Sequence, residues 1–161
     1  MKKTLIYFGL ALSLIIAGFL IWNFFLDLSF SQIDKQDIQI ISTKMTGQFK
    51  SNLIFAFSIG LIPIIYGIVE KLSKLKSWNQ GLIVLSTIIS CGLLSWQLRI
   101  FQINKQIQQL SDFNLGEGIQ NTINYKNLNF GIFLLIGFLV GGLISTLIFK
   151  RKNNGTYGNT V

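Results

Sequence analysis

The sequence predicts an all-α membrane protein: four transmembrane helices in an antiparallel up-down bundle, with helices 2 and 3 extended beyond the membrane on the outer side. Three observations predict it. Four apolar runs, about 4–26, 51–69, 81–97 and 129–149, are close to the roughly 20 residues that cross a bilayer's hydrocarbon core. Half of the residues are hydrophobic and only 12% are charged, about half the share usual in soluble domains. The basic residues behind the net charge of +8 stand in short clusters between the runs, as topology signals do, rather than in one nucleic-acid-binding stripe.

The fourth run is the clearest. From Phe130 to Phe149 it holds fourteen Leu, Ile, Val or Phe residues and no charge, and it ends in Lys150-Arg151-Lys152. Each such residue favours insertion by roughly 0.3–0.6 kcal/mol at mid-helix. The first run follows Met1-Lys2-Lys3 and is longer than a signal-peptide core. No small-x-small cleavage site succeeds it, so it reads as an uncleaved span with Trp22 at the outer interface.

The segment from Asp27 to Lys50 is polar, with Ser31 and Asp34 at capping-box spacing. Ile38, Ile41, Met45 and Phe49 then recur at three- and four-residue steps, which predicts one stripe of a helix continuing into the second span. Pro63 removes a backbone donor there and predicts a kink. After the third span, Ile100, Ile103, Ile107 and Leu110 keep helical spacing among glutamines, so that helix also runs on. Residues 112–129, with five asparagines, read as a surface loop. Residues 1–152 form a single membrane domain in this reading, and 153–161 a mobile cytoplasmic tail.

Charge sets the orientation. Segments assigned to the inside carry eight basic residues against Glu70 alone; those assigned outside carry six against five acids. Both termini are therefore expected in the cytoplasm. Heavy use of Ile, Phe, Lys and Asn suggests a bacterial, AT-rich origin, hence the bacterial cytoplasmic membrane.

Two small-residue ridges stand out: Gly137, Gly141 and Ser145 on the fourth span, and Gly9, Ser13 and Ala17 on the first. Small residues every four positions let helix backbones approach closely. They predict packing of the first span on the fourth, with an oligomer or partner seam as the alternative. The two outer stripes are expected to pack on each other; the alternatives are that each lies in the interface or packs on other spans, or that the stripe is kept for a partner protein. Asp27 and Arg99 fall at similar depth and suggest an ion pair, or an anion contact at Arg99. Ser86, Thr87, Ser90, Cys91 and Ser95 are expected to bond back to the backbone or across helices, with lining of a solute path as the other reading. Lys71, Lys74 and Lys76, with Lys150, Arg151 and Lys152, are placed to hold anionic lipid headgroups.

What is missing narrows function. Histidine is absent, and Cys91 is the one cysteine, which removes the usual metal ligands and any dithiol pair. No Asp, Glu, Lys or Arg lies at mid-span, where coupled carriers and intramembrane enzymes keep ionisable residues. The expectation is no enzyme, no metal and no cofactor. Two classes remain. One is a non-catalytic accessory, scaffold or assembly subunit of a larger membrane complex, bound to another membrane protein or to itself. The other is a small oligomeric channel or carrier for an uncharged or anionic solute.

Overall fold

A segment in lipid must satisfy its backbone N–H and C=O groups internally, and in an uncharged Leu-, Ile- and Phe-rich run the helix does so. The computed structural model describes residues 2–33, 38–41, 45–75, 77–112, 121–124 and 128–155. It contains α1 (Lys2–Ser31), β1 (Ile38–Ile41), α2 (Met45–Gly60), α3 (Ile62–Ser73), α4 (Trp78–Asp112), β2 (Asn121–Asn124) and α5 (Phe130–Gly155). Four helical segments are long and apolar enough to cross a membrane: Lys3–Ser31, Gly47–Ser73, Trp78–Gln109 and Phe130–Lys150. The chain is a multi-pass helical membrane protein.

The second segment is α2 and α3 together, interrupted at Leu61 two residues before Pro63. Leu61 N–H still donates to Phe57 O at 2.9 Å, and Ile65 N–H to Leu61 O at 2.9 Å, so the bonds flank the proline on both sides. After Ser73, Lys74 takes a left-handed φ of 48° and its N–H caps the carbonyl of Glu70. That turn leads into α4 four residues later.

Contacts between helices come in ordered pairs. Lys3 and Tyr7 of α1 meet Glu70 of α3, and Trp22 meets Phe55 of α2. On the other seam Thr87, Cys91 and Arg99 of α4 meet Gly141, Gly137 and Leu128 in turn. The closest approaches are at glycines: a Cβ on Gly137 would fall 2.4 Å from the Cys91 carbonyl, and one on Gly18 2.7 Å from Ala56 Cα. Ser58 Oγ donates to Gly131 O at 2.9 Å and fixes α2 on α5.

An aromatic cluster joins the helices where α5 begins. Phe25 stacks on Phe55 with centroids 4.4 Å apart, Trp96 lies 5.3 Å from Phe25, and Phe130 meets Phe25 edge-on. Trp22 is buried among these rings, 5.1 Å from Phe55, and packs on the other helices rather than facing outward from the bundle. Its helical phase explains this: it shares one face of α1 with Ala11, Gly18, Leu26 and Ser29, all buried. The Trp96 indole N–H finds its partner at Ser29 Oγ, 3.1 Å away.

Three expectations beyond the first span are corrected. α1 continues to Ser31, whose hydroxyl bonds back to Leu28 O, so Ser31 ends a helix and does not start one. Ile38–Ile41 is a β-strand, paired in parallel with Asn121–Asn124 in the register Ile38↔Asn121 to Ile41↔Asn124. The stretch Ile-Gln-Ile-Ile satisfies both periods, and its β-branched residues favour the extended one. The ladder also places a strand inside what read as a plain surface loop. Gln32 and Gln97 meet at 3.0 Å, and Asn104 donates to Gln32 O, so the end of α1 lies against the middle of α4. Finally, α5 extends three residues past Lys152, to Gly155; the rest of the expected tail lies outside the described residues.

Candidate functional site

The polar chemistry of the described residues gathers where the start of α1 meets the end of α3. Lys3 and Tyr7 are one turn apart on α1; Tyr66 and Glu70 are one turn apart on α3. Four-residue spacing stacks each pair on one face, so two facing helices present two rungs. Lys3 Nζ lies 3.2 Å from Glu70 Oε1, and the Tyr7 hydroxyl donates to Glu70 Oε2. The Tyr7 and Tyr66 rings meet edge-on at 5.9 Å. Gly67 makes room for this, since a Cβ there would come within 2.9 Å of the Tyr7 ring. Both carboxylate oxygens are thus held, one by a charge that is itself open to solvent.

Clefts open on both sides of Tyr7. One, of about 580 Å³, runs between α1 and α3 from Lys3, Glu70 and Lys71 to Phe8, Ile64 and Ile68. The other, of about 370 Å³, is almost wholly apolar and lies against Pro63, Tyr66, Trp78 and Leu85. The sequence reading treated Glu70 as one charge in a topology count and passed over the tyrosines. The available signal was the matched Lys-x-x-x-Tyr and Tyr-x-x-x-Glu spacing near the ends of two spans.

The small-residue ridges part company. Gly137 and Gly141 pack on α4, against Cys91, Gly92, Ile88 and Thr87, and Ser145 is buried. This ridge therefore serves the α4–α5 seam, and the expected packing of first span on fourth is corrected. On α1, Gly9 and Ser13 are exposed and Ala17 half-buried; nothing would meet a Cβ on Gly9 within 4 Å. Its inward approach is made by Ala11 and Gly18, on a different face.

The outer stripes are corrected as a pair. Ile100, Ile103 and Ile107 are buried in a core cluster with Ile33 and Leu128, whereas Phe49 is exposed. Phe49 therefore does not cover the α4 stripe, and the backbone of Ile38 and Ile41 is a strand. Met45 begins α2 and Leu110 lies near the end of α4; their side chains, like those of Ile38 and Ile41, lie outside the described residues.

Arg99 is not paired with Asp27. Its Nε donates to Leu128 O at 3.0 Å, Nη1 reaches Gln102 Oε1 at 3.4 Å, and its guanidinium lies 5.1 Å from the Phe133 ring centre. Asp27 is exposed, two residues and about 200° of helix from Ser29, which faces α4. On α4, Thr87 bonds back to Ile83 O, Cys91 and Ser95 lie against Gly137, and Ser86 and Ser90 face outward. Lys71, Lys74 and Lys150 are exposed; Lys76 and the side chains of Arg151 and Lys152 lie outside the described residues. No group of three His, Cys, Asp or Glu stands close enough to hold a metal among the described residues. Set against protein-family models, curated proteins and solved structures, the chain matches none.

Proposed function

We propose that the protein is a non-catalytic accessory, scaffold or assembly subunit of a larger membrane complex, docking through the outward face of α1. One observation carries this reading. In its most apolar stretch α1 is only 11% buried, against 28–39% for the other three spans, and that open helix bears the Gly9–Ser13–Ala17 ridge. A small-residue face suits close helix contact, and lipid supplies no hydrophobic drive that would otherwise select it. The antiparallel up-down order agrees with the contact pairs on both seams. The outer extension of α4, both termini in the cytoplasm and a bacterial cytoplasmic membrane complete the proposal, the last two on the charge bias and residue usage.

A channel or carrier assembled from several copies is the second reading, favoured by the outward Ser86 and Ser90. A path through a single copy conflicts with the rings of Trp22, Phe25, Phe55, Trp96 and Phe130, which pack between the helices. Mild-detergent extraction from native membranes tests the proposal. A stoichiometric partner, lost in Gly9→Leu with unchanged thermal stability, is the expected result. A lone homo-oligomer of fixed size, insensitive to that change, overturns it and moves the question to liposome flux, with Ser90→Leu as the probe.

A further inference from the structure

Both walls of the larger cleft change character in the same direction. Along α1 the order is Lys3, Thr4, then Tyr7 and Phe8; on the other wall, from the same end, it is Leu75, Lys71 and Glu70, then Ile68, Gly67 and Ile64. Charge and hydroxyl lie at one mouth, and exposed Phe8, Ile64 and Ile68 continue from it along the helices. A soluble anion would use only the mouth, and a hydrocarbon only the far end. The cleft, about 580 Å³, falls within the range of small-molecule sites.

Among the described lining residues, Lys3 and Lys71 stand against Glu70, which leaves one positive charge. Glu70 also lines the cleft, and both of its oxygens already accept a bond, one from Tyr7 and one from Lys3. The Lys3 side chain is 81% exposed and spends one contact on Glu70, and an ammonium has three protons to donate. A phosphodiester matches this mouth in charge and in acceptors.

We propose that this cleft binds one glycerophospholipid of net charge −1, with its phosphodiester at Lys3, Thr4 and Lys71 and an acyl chain lying over Phe8, Ile64 and Ile68. The site rests on the four helices lying in a bilayer. It does not depend on docking through α1's ridge or on which leaflet the mouth faces.

The full chain, delipidated in mild detergent, is titrated with phosphatidylglycerol, phosphatidylcholine and inorganic phosphate, reading bound lipid by native mass spectrometry and thermal stabilisation. Phosphatidylglycerol is expected to bind at one copy per chain, and phosphatidylcholine about tenfold or more weaker. Lys71→Gln, which leaves the Lys3–Glu70 pair intact, should lower phosphatidylglycerol binding about fivefold, whereas Lys150→Gln should not. Ile68→Trp, which fills the apolar part and spares every charge, should also lower it. Equal binding of the two lipids, or full binding in both Lys71→Gln and Ile68→Trp, overturns the proposal. Stabilisation by inorganic phosphate equal to that by the lipid overturns it too, leaving an anion site without a chain-binding wall.

Discussion

A single methyl group separates the two glycine-bearing ridges. At Gly137 an added Cβ meets the Cys91 carbonyl and Gly92 Cα, both backbone, which cannot move without parting α4 from α5. Gly137→Ala is expected to cost about 1–3 kcal/mol, as overpacking does, read as a fall in thermal midpoint. Gly9→Ala meets nothing and should leave the midpoint unchanged. Ser29 allows a second test at this scale. Ser29→Ala removes the acceptor of a buried indole N–H, and a loss of about 1 kcal/mol is expected, with a shift in Trp96 fluorescence. Lys74 is strained in the opposite sense: its φ of 48° suits glycine, so Lys74→Gly should hold or raise stability by up to about 1 kcal/mol in a thermal melt.

Between elements, the informative test is the meeting of α1 and α4. With Cys91 replaced by alanine, cysteines at Gln32 and Gln97 should crosslink readily, whereas a pair at Phe49 and Ile103 should not. The reverse result would restore a hairpin between the second and third spans. The spans themselves were legible because twenty uncharged residues in lipid have one solution. So was the α4 stripe, since Ile100, Ile103 and Ile107 keep a helical period over a stretch too polar to be core on every face. The cover for that stripe was not legible. It involves the end of α1, whose Gln32 meets Gln97 and Asn104 of α4, and no periodicity marks where α1 ends. Ile38–Ile41 was misread because four residues cannot distinguish a period of 2 from one of 3.6, and its partner lies eighty residues on. The Lys3–Tyr7–Glu70 cluster was hidden for a related reason: half of it stands on each of two helices, and only their apposition makes it a site.

At the scale of the molecule, the rings near the start of α5 and the polar cluster near the start of α1 tie different helices together. The rings join α1, α2, α4 and α5; the polar cluster binds α1 to α3 through a carboxylate that two side chains share. Glu70→Gln keeps an acceptor for Tyr7 but loses the charge that holds Lys3. The expected outcome is an intact fold in which the amine at Lys3 reacts faster with an acylating reagent. The parallel pairing of β1 with β2 has a consequence for biogenesis. The first strand is complete by residue 41, and its partner is not synthesised until residue 124. Three helical elements must be made between them, so the ladder joins the earliest part of the nascent chain to one of the latest. Until then β1 carries an open edge, the kind of surface that attracts stray strands and chaperones. A ribosome halted before residue 121 would hold an inserted but unclasped intermediate.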